Sequence, residues 1–178
     1  MVIAVRPDLE LRSVAPADAR VLDALIAADH ERLARFMPWA AGQTIESTRE
    51  FIVRSLQQEA ADDGFQAVLV VDGSIAGIAG YHRIDRANLT TTIGYWLASA
   101  YEGRGLMTAA VAALVDHAFR AWGLHRLELR IAPDNERSRA LAARLGFREE
   151  GVLREAERFG DEHRDLIMHS LLASERAS

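Results

Sequence analysis

The sequence predicts a mixed α+β fold, a twisted and mostly antiparallel central sheet of about seven strands flanked by about four helices, in the order β-α-α-β-β-β-α-β-α-β-β. Two observations carry it. Three strand-like runs in the middle of the chain are joined only by Asp72-Gly73 and by Asp85-Arg86-Ala87, links too short for anything but antiparallel neighbours. An amphipathic helical run then separates two further strand-like runs, which allows a parallel crossover pair, so the sheet should be mixed.

Leu9 to Val14 alternates apolar and polar residues as a half-buried strand does, and Ala15-Pro16 stops it. From Asp18 to Phe36, Val21, Leu22, Leu25, Ile26, Leu33 and Phe36 recur at helical spacing, and Met37-Pro38-Trp39 closes that segment. Thr44 can cap a second helix whose apolar side carries Ile45, Phe51, Ile52, Val53 and Leu56, ending before Asp62-Asp63-Gly64. Phe65 to Val71, Ser74 to Ile84 and Asn88 to Leu97 are the three meander strands. Thr108 to Trp122 is the most clearly amphipathic helix, with Gly123 as its C-terminal cap. Arg126 to Ile131 is again a strand, and Pro133-Asp134-Asn135 opens a helix closed by Gly146. Phe147 to Phe159 and Glu162 to Leu172 form a last hairpin turned at Gly160-Asp161.

Composition narrows the function classes. A chain of 178 residues with 49% hydrophobic and 26% charged residues suits one domain with a proper core, expected over residues 1–178 with its centre at about 9–172. A net charge of -5 argues against binding nucleic acid through phosphate neutralisation. The absence of cysteine rules out disulfides, thiolate metal sites and a cysteine nucleophile, and the spacing of the six histidines suggests no metal site. The N-terminal stretch lacks a signal-peptide pattern and no run is apolar enough to span a membrane, so a cytoplasmic protein is expected.

The segment that ends one strand and opens the crossover helix, Tyr101 to Thr108, is where a mixed sheet of this kind would place a ligand. Gly103 and Gly105 stand directly ahead of the helix, where they permit positive φ and close approach to bare backbone. Free amides and the positive end of the helix dipole would then suit a phosphate, with Arg104 adding charge. A tight turn with no ligand explains the same residues. The segment is neither a Walker A loop nor a dinucleotide fingerprint, since no Gly-Lys-Ser/Thr ends it and the three-glycine spacing is absent.

Gly103-Arg104-Gly105-Leu106 resembles the coenzyme A pyrophosphate loop of GNAT acetyltransferases. Glu102 and Met107 depart from the general family pattern, but Gly-Arg-Gly-Leu-Met-Thr matches the form usual in the RimJ/RimL-like branch, the ribosomal-protein N-terminal acetyltransferases. The same branch is resembled by Met37-Pro38-Trp39, Ile93-Gly94-Tyr95-Trp96-Leu97, Asn135-Glu136-Arg137-Ser138, Gly146-Phe147 and Glu150-Gly151-Val152-Leu153-Arg154, from about Leu9 to Leu172.

The resemblance implies the GNAT fold, acetyl-coenzyme A as co-substrate and direct transfer to a primary amine. It implies that Trp96, Leu97, Gly103, Arg104, Gly105, Leu106, Met107, Thr108 and Asn135 hold the cofactor, and that Ser138 protonates the departing thiolate. Asn135 reads equally as a helix cap. Glu157 is implied as general base, although its charged run also reads as a solvated hairpin. Trp39, Tyr81 and Tyr95 are the expected substrate contacts; for Trp39, Tyr81 and also His82, packing is the competing explanation. The implied acceptor is a protein N-terminal amine, with a polyamine, antibiotic or amino-acid-like toxin as alternatives, and a non-catalytic acyl-coenzyme A binding module as a different class. Pairing into a homodimer is implied by the resemblance alone.

Overall fold

In a computed structural model, described over residues 1–176, eight strands form one sheet in the spatial order β1-β2-β3-β4-β5-β6-β8-β7. The strands are β1 (Val2–Arg6), β2 (Leu9–Ser13), β3 (Gln66–Val71), β4 (Ser74–Tyr81), β5 (Thr90–Leu97), β6 (Arg126–Ile131), β7 (Arg148–Phe159) and β8 (Glu162–Leu172). The helices are α1 (Ala19–Ala28), α2 (His30–Ala34), α3 (Ile45–Ala60), α4 (Leu106–Arg120) and α5 (Glu136–Arg144). Every neighbouring pair is antiparallel except β5 and β6, which the α4 crossover makes parallel.

The sheet has eight strands rather than seven because Val2–Arg6 adds an edge strand to β2, with a register shift between Ala4 and Arg6. Its side chains lie half in solvent, so the run lacks the apolar face that marks a strand in sequence. The first long helix is two helices, broken at Asp29 (φ -112, ψ 17). The Asp29 carboxylate accepts from the backbone N–H and hydroxyl of Ser99 and from Arg32, which draws it out of helical register. Val21 and Val53, expected on apolar helix faces, point outward, while Thr48 and Ser55 are buried on α3.

Two cores form, one on each side of the sheet. Leu106, Met107, Ala110, Val111, Leu114, Val115 and Ala118 give α4 its buried stripe at helical spacing, and they pack with α5 on one face against Leu11, Leu69 and Leu129. On the other face, Leu22, Ile26, Leu33 and Ile52 from α1 to α3 cover Val68, Ile78 and Trp96. Asp72 (φ 48) and Gly73 (φ 80) turn β3 into β4 with both central residues at positive φ, a hairpin geometry that Asp-Gly favours.

The parallel pair decides where a ligand can enter. β5 and β6 are bonded only over Thr90–Arg126, Thr91–Leu127 and Thr92–Glu128, although β5 continues to Leu97 and β6 to Ile131. On its other edge β5 stays paired with β4 from Ile93 to Leu97. The two strands therefore part after Thr92, leaving one edge of the later β5 backbone without a strand partner.

Candidate active site

The segment after β5 runs through a 3-10 turn at Ser99–Tyr101 into Glu102-Gly103-Arg104-Gly105 and then α4. Gly103 has φ 77 and Gly105 φ 70, and a Cβ on either would meet no atom within 4 Å. Glycine is thus required by backbone conformation, and the space before the loop is open. Gly105 caps α4 without any side-chain bond, so the first N–H groups of the helix face that space with only the solvent to satisfy them. The residues fit a pyrophosphate.

Side chains around the loop refine the expected roles. Leu106 and Met107 are buried in the core, so only their backbone can serve a ligand. Arg104 turns away, pairing with Asp8 and Asp72 at 3.6 Å each. Glu102 accepts from Arg32 at 2.9 Å and pairs with Arg137 of α5, and Arg144 of α5 donates to the Thr108 hydroxyl at 3.3 Å. These α5 arginines flank the loop; the sequence brings Arg137 in only as part of a motif and Arg144 not at all, because charges on a helix surface carry no local signal of what they face.

Where β5 and β6 part, Tyr95 points toward the α4 and α5 side, against the first core. Its hydroxyl is buried and makes no hydrogen bond of good geometry among the described residues, and burial pushes the phenol up to about 12 against a smaller lowering by the nearby Ser138 hydroxyl. Ser138 sits in the first turn of α5, whose N-terminal cap is Asn135: the Asn135 side-chain oxygen accepts the Ser138 N–H at 3.2 Å. The cap reading of Asn135 is therefore realised.

Trp96 points the opposite way into the second core, 6.4 Å from the ring of Trp39, which is 42% exposed in the turn Pro38–Gly42. The Leu97 carbonyl accepts from Arg32 at 2.6 Å. Glu157 lies across the site on β7, where its Oε2 accepts from Nε and Nη2 of Arg164 at 2.6 and 2.5 Å. Arg164 also donates to the carbonyls of Arg35 and Phe36, so the last hairpin is tied to the end of α2. Glu157 is a wall anchor in this arrangement, with Oε2 already occupied.

Tyr81 is the clear correction. Expected beside the acceptor, it is fully buried, its hydroxyl donates to the Leu114 carbonyl at 2.5 Å, and its ring packs with Phe65, His117 and Trp122. Burial raises that phenol far above its usual value. The alternation of β4 places residue 81 on the α4 face, away from Trp39.

A mixed sheet whose parallel strands part beside a glycine-rich anion cradle defines a protein built to hold an extended anionic ligand between strands. Residues 8–148 match the acetyltransferase (GNAT) domain family, and the chain belongs to that family. The putative ribosomal N-acetyltransferase YdaF of Bacillus subtilis (strain 168) is 36% identical over 96% of this chain and 94% of its own length. The ribosomal-protein-serine acetyltransferase of Escherichia coli (strain K12) is 28% identical over 94% of each chain. Among solved structures, the microcin C7 self-immunity acetyltransferase MccE in complex with acetyl-CoA and AMP superimposes with a TM-score of 0.90 at 30% identity, covering 96% of this chain and 95% of that one. The protein is an acetyltransferase of GNAT type.

Proposed function

We propose that the chain transfers an acetyl group from acetyl-coenzyme A to the N-terminal α-amine of a protein, of the ribosomal class named for its relatives. The observation that carries the transfer reading is the parting of β5 from β6 beside the open Gly103–Thr108 cradle. Amides of that loop and of the first turn of α4 hold the pyrophosphate, aided by the helix dipole. The β5 backbone left without a strand partner at Tyr95 and at the Leu97 N–H, the Leu97 carbonyl being taken by Arg32, and the Asn135 amide hold the arm of the cofactor. Bound acetyl-coenzyme A supplies an acetyl thioester as the electrophile.

The chain's own groups then divide the work by sheet face. The Ser138 hydroxyl, beside the orphaned Tyr95 hydroxyl, supplies a proton on the α5 side. Trp39 and the hairpin wall fixed by Glu157 and Arg164 receive the acceptor from the α2 side. A protein of one domain working in the cytoplasm, as a homodimer, completes the reading; no helix among the described residues is long and apolar enough to cross a membrane.

Acetylation of a small amine is the second reading, favoured by the likeness to MccE, a self-immunity acetyltransferase. Thiol release from acetyl-coenzyme A, measured against N-terminal peptides, polyamines, aminoglycosides and aminoacyl nucleotides, separates the two. Turnover on peptides by at least tenfold over the others is expected. Turnover confined to small amines overturns the acceptor assignment, and coenzyme binding with no turnover on any amine overturns catalysis.

A further inference from the structure

The face of β5 opposite Tyr95 and Ser138 carries a group with no assigned part, the imidazole of His82. His82 follows the last residue of β4, and its backbone is held by β5 itself: its N–H donates to the Thr92 carbonyl at 2.8 Å, and its own carbonyl accepts from the Thr91 hydroxyl at 3.1 Å. The ring lies on Gly94, so close that a Cβ there would come within 2.8 Å of His82 Nε2. Gly94 is two residues past Thr92, where β5 and β6 part. Trp96, two residues further on the same strand face, packs against Trp39. His82 therefore stands at the mouth of the gap on the acceptor side, about 7 Å along the strand from the tryptophan pair.

We propose that His82 is the group that takes the proton from the incoming amine. The inference rests on the acetyltransfer reading and adds a catalytic residue to it. At neutral pH an α-amine is largely an ammonium ion, its pKa being about 8, and it must shed one proton before its lone pair can attack a carbonyl carbon. In the proposed step the ammonium N–H bond breaks, the proton passes to His82 Nε2 directly or through one water, and the products are a neutral amine and an imidazolium. The imidazolium later returns the proton to solvent.

The surroundings suit that task. The His82 ring makes no hydrogen bond among the described residues, and it reaches solvent on one side while protein encloses the other. That enclosure, and secondarily the positive charge of Arg130, lower its pKa, which favours the neutral ring that can accept a proton. Arg130 of β6 is the charge that acts on the ring; it is paired with Glu128, which also holds Arg126, and the adjacent Arg83 is paired with Asp63. Glu157, the base implied by resemblance, has Oε2 committed to Arg164, whereas His82 has no partner to lose.

The test uses the full chain, acetyl-coenzyme A and the best substrate among short peptides with a free N-terminal amine. His82→Gln should lower kcat/KM at pH 7 by at least tenfold while coenzyme A affinity stays within about twofold. The deficit should shrink as pH rises past the amine's own pKa, where no base is needed. Gly94→Ala retains the histidine but displaces its ring, and should lose activity in the same direction without loss of thermal stability, since the displaced atom is the end of a flexible side chain. Imidazole resonances of the unliganded protein should show His82 titrating below about 6.5. Wild-type turnover and pH profile in His82→Gln would overturn the proposal. Loss of the acid limb in Glu157→Gln but not in His82→Gln would return the role to the carboxylate. These outcomes are distinct from failure of the transfer reading itself, in which no amine is acetylated by the unaltered chain.

Discussion

At the scale of single residues, the site is best described by what its polar atoms lack. The Tyr95 hydroxyl is buried with no good partner, a condition that costs about 1–3 kcal/mol relative to a satisfied group. A ligand group bonded to that oxygen would remove the cost. Tyr95→Phe is therefore expected to leave the melting temperature equal or higher while weakening coenzyme A binding several-fold; calorimetry of the free and ligand-bound forms reads both. Tyr81 shows the opposite case: its hydroxyl has the Leu114 carbonyl and its ring an aromatic cage, so it belongs to folding. The two tyrosines, alike in sequence as residues of central strands, are separated by what their oxygens meet.

At the scale of elements, the turn from β5 into α4 and the hairpin of β7 with β8 hold the site's two sides. In the first, Gly105 at φ 70 lies against open space. Gly105→Ala should cost about 1–2 kcal/mol from the left-handed conformation and should weaken coenzyme A by more than that strain alone, because the new methyl stands where the ligand approaches. Comparing denaturant midpoints with coenzyme A dissociation constants separates the two effects. In the hairpin, a register shift between Leu153 and Glu157, with Glu155 at φ 49 and its N–H taken by Asp165, bends the far end so that Arg164 reaches the carbonyls of α2.

At the scale of the whole molecule, ion pairs tie distant parts of the sheet, and pH should reveal them. The Arg126 guanidinium, with help from the Ser170 hydroxyl, holds the Glu150 carboxyl down to about 2. Burial alone would raise the Asp18 carboxyl, but the two-nitrogen pair from Arg12 and the Ala15 N–H outweigh it and leave it lowered. A carboxyl whose folded pKa is depressed adds stability that is fully present above its unfolded pKa and is lost as pH falls toward the folded one. Thermal stability should thus hold from neutral pH to about 5 and fall between about 4.5 and 2. Glu150→Gln should flatten part of that fall, and a pH-independent midpoint across the range would show that these pairs contribute nothing.

The sequence alone determined most of the element order, the antiparallel meander, the crossover helix and the glycine loop, because periodicity and turn residues are local records of which side chains meet a core. It also carried the family, through motifs spread from Met37 to Arg154. It did not show the edge strand Val2–Arg6, whose half-solvated side chains leave no apolar face, or the break at Asp29, which depends on Ser99, seventy positions away. The juxtaposition of Tyr95 with Ser138, the Arg164 tie on Glu157 and the seat of His82 on Gly94 were decided only by tertiary structure. Each joins residues brought together by sheet order and strand facing, and a contact between distant positions leaves no period in the chain for a reader to find.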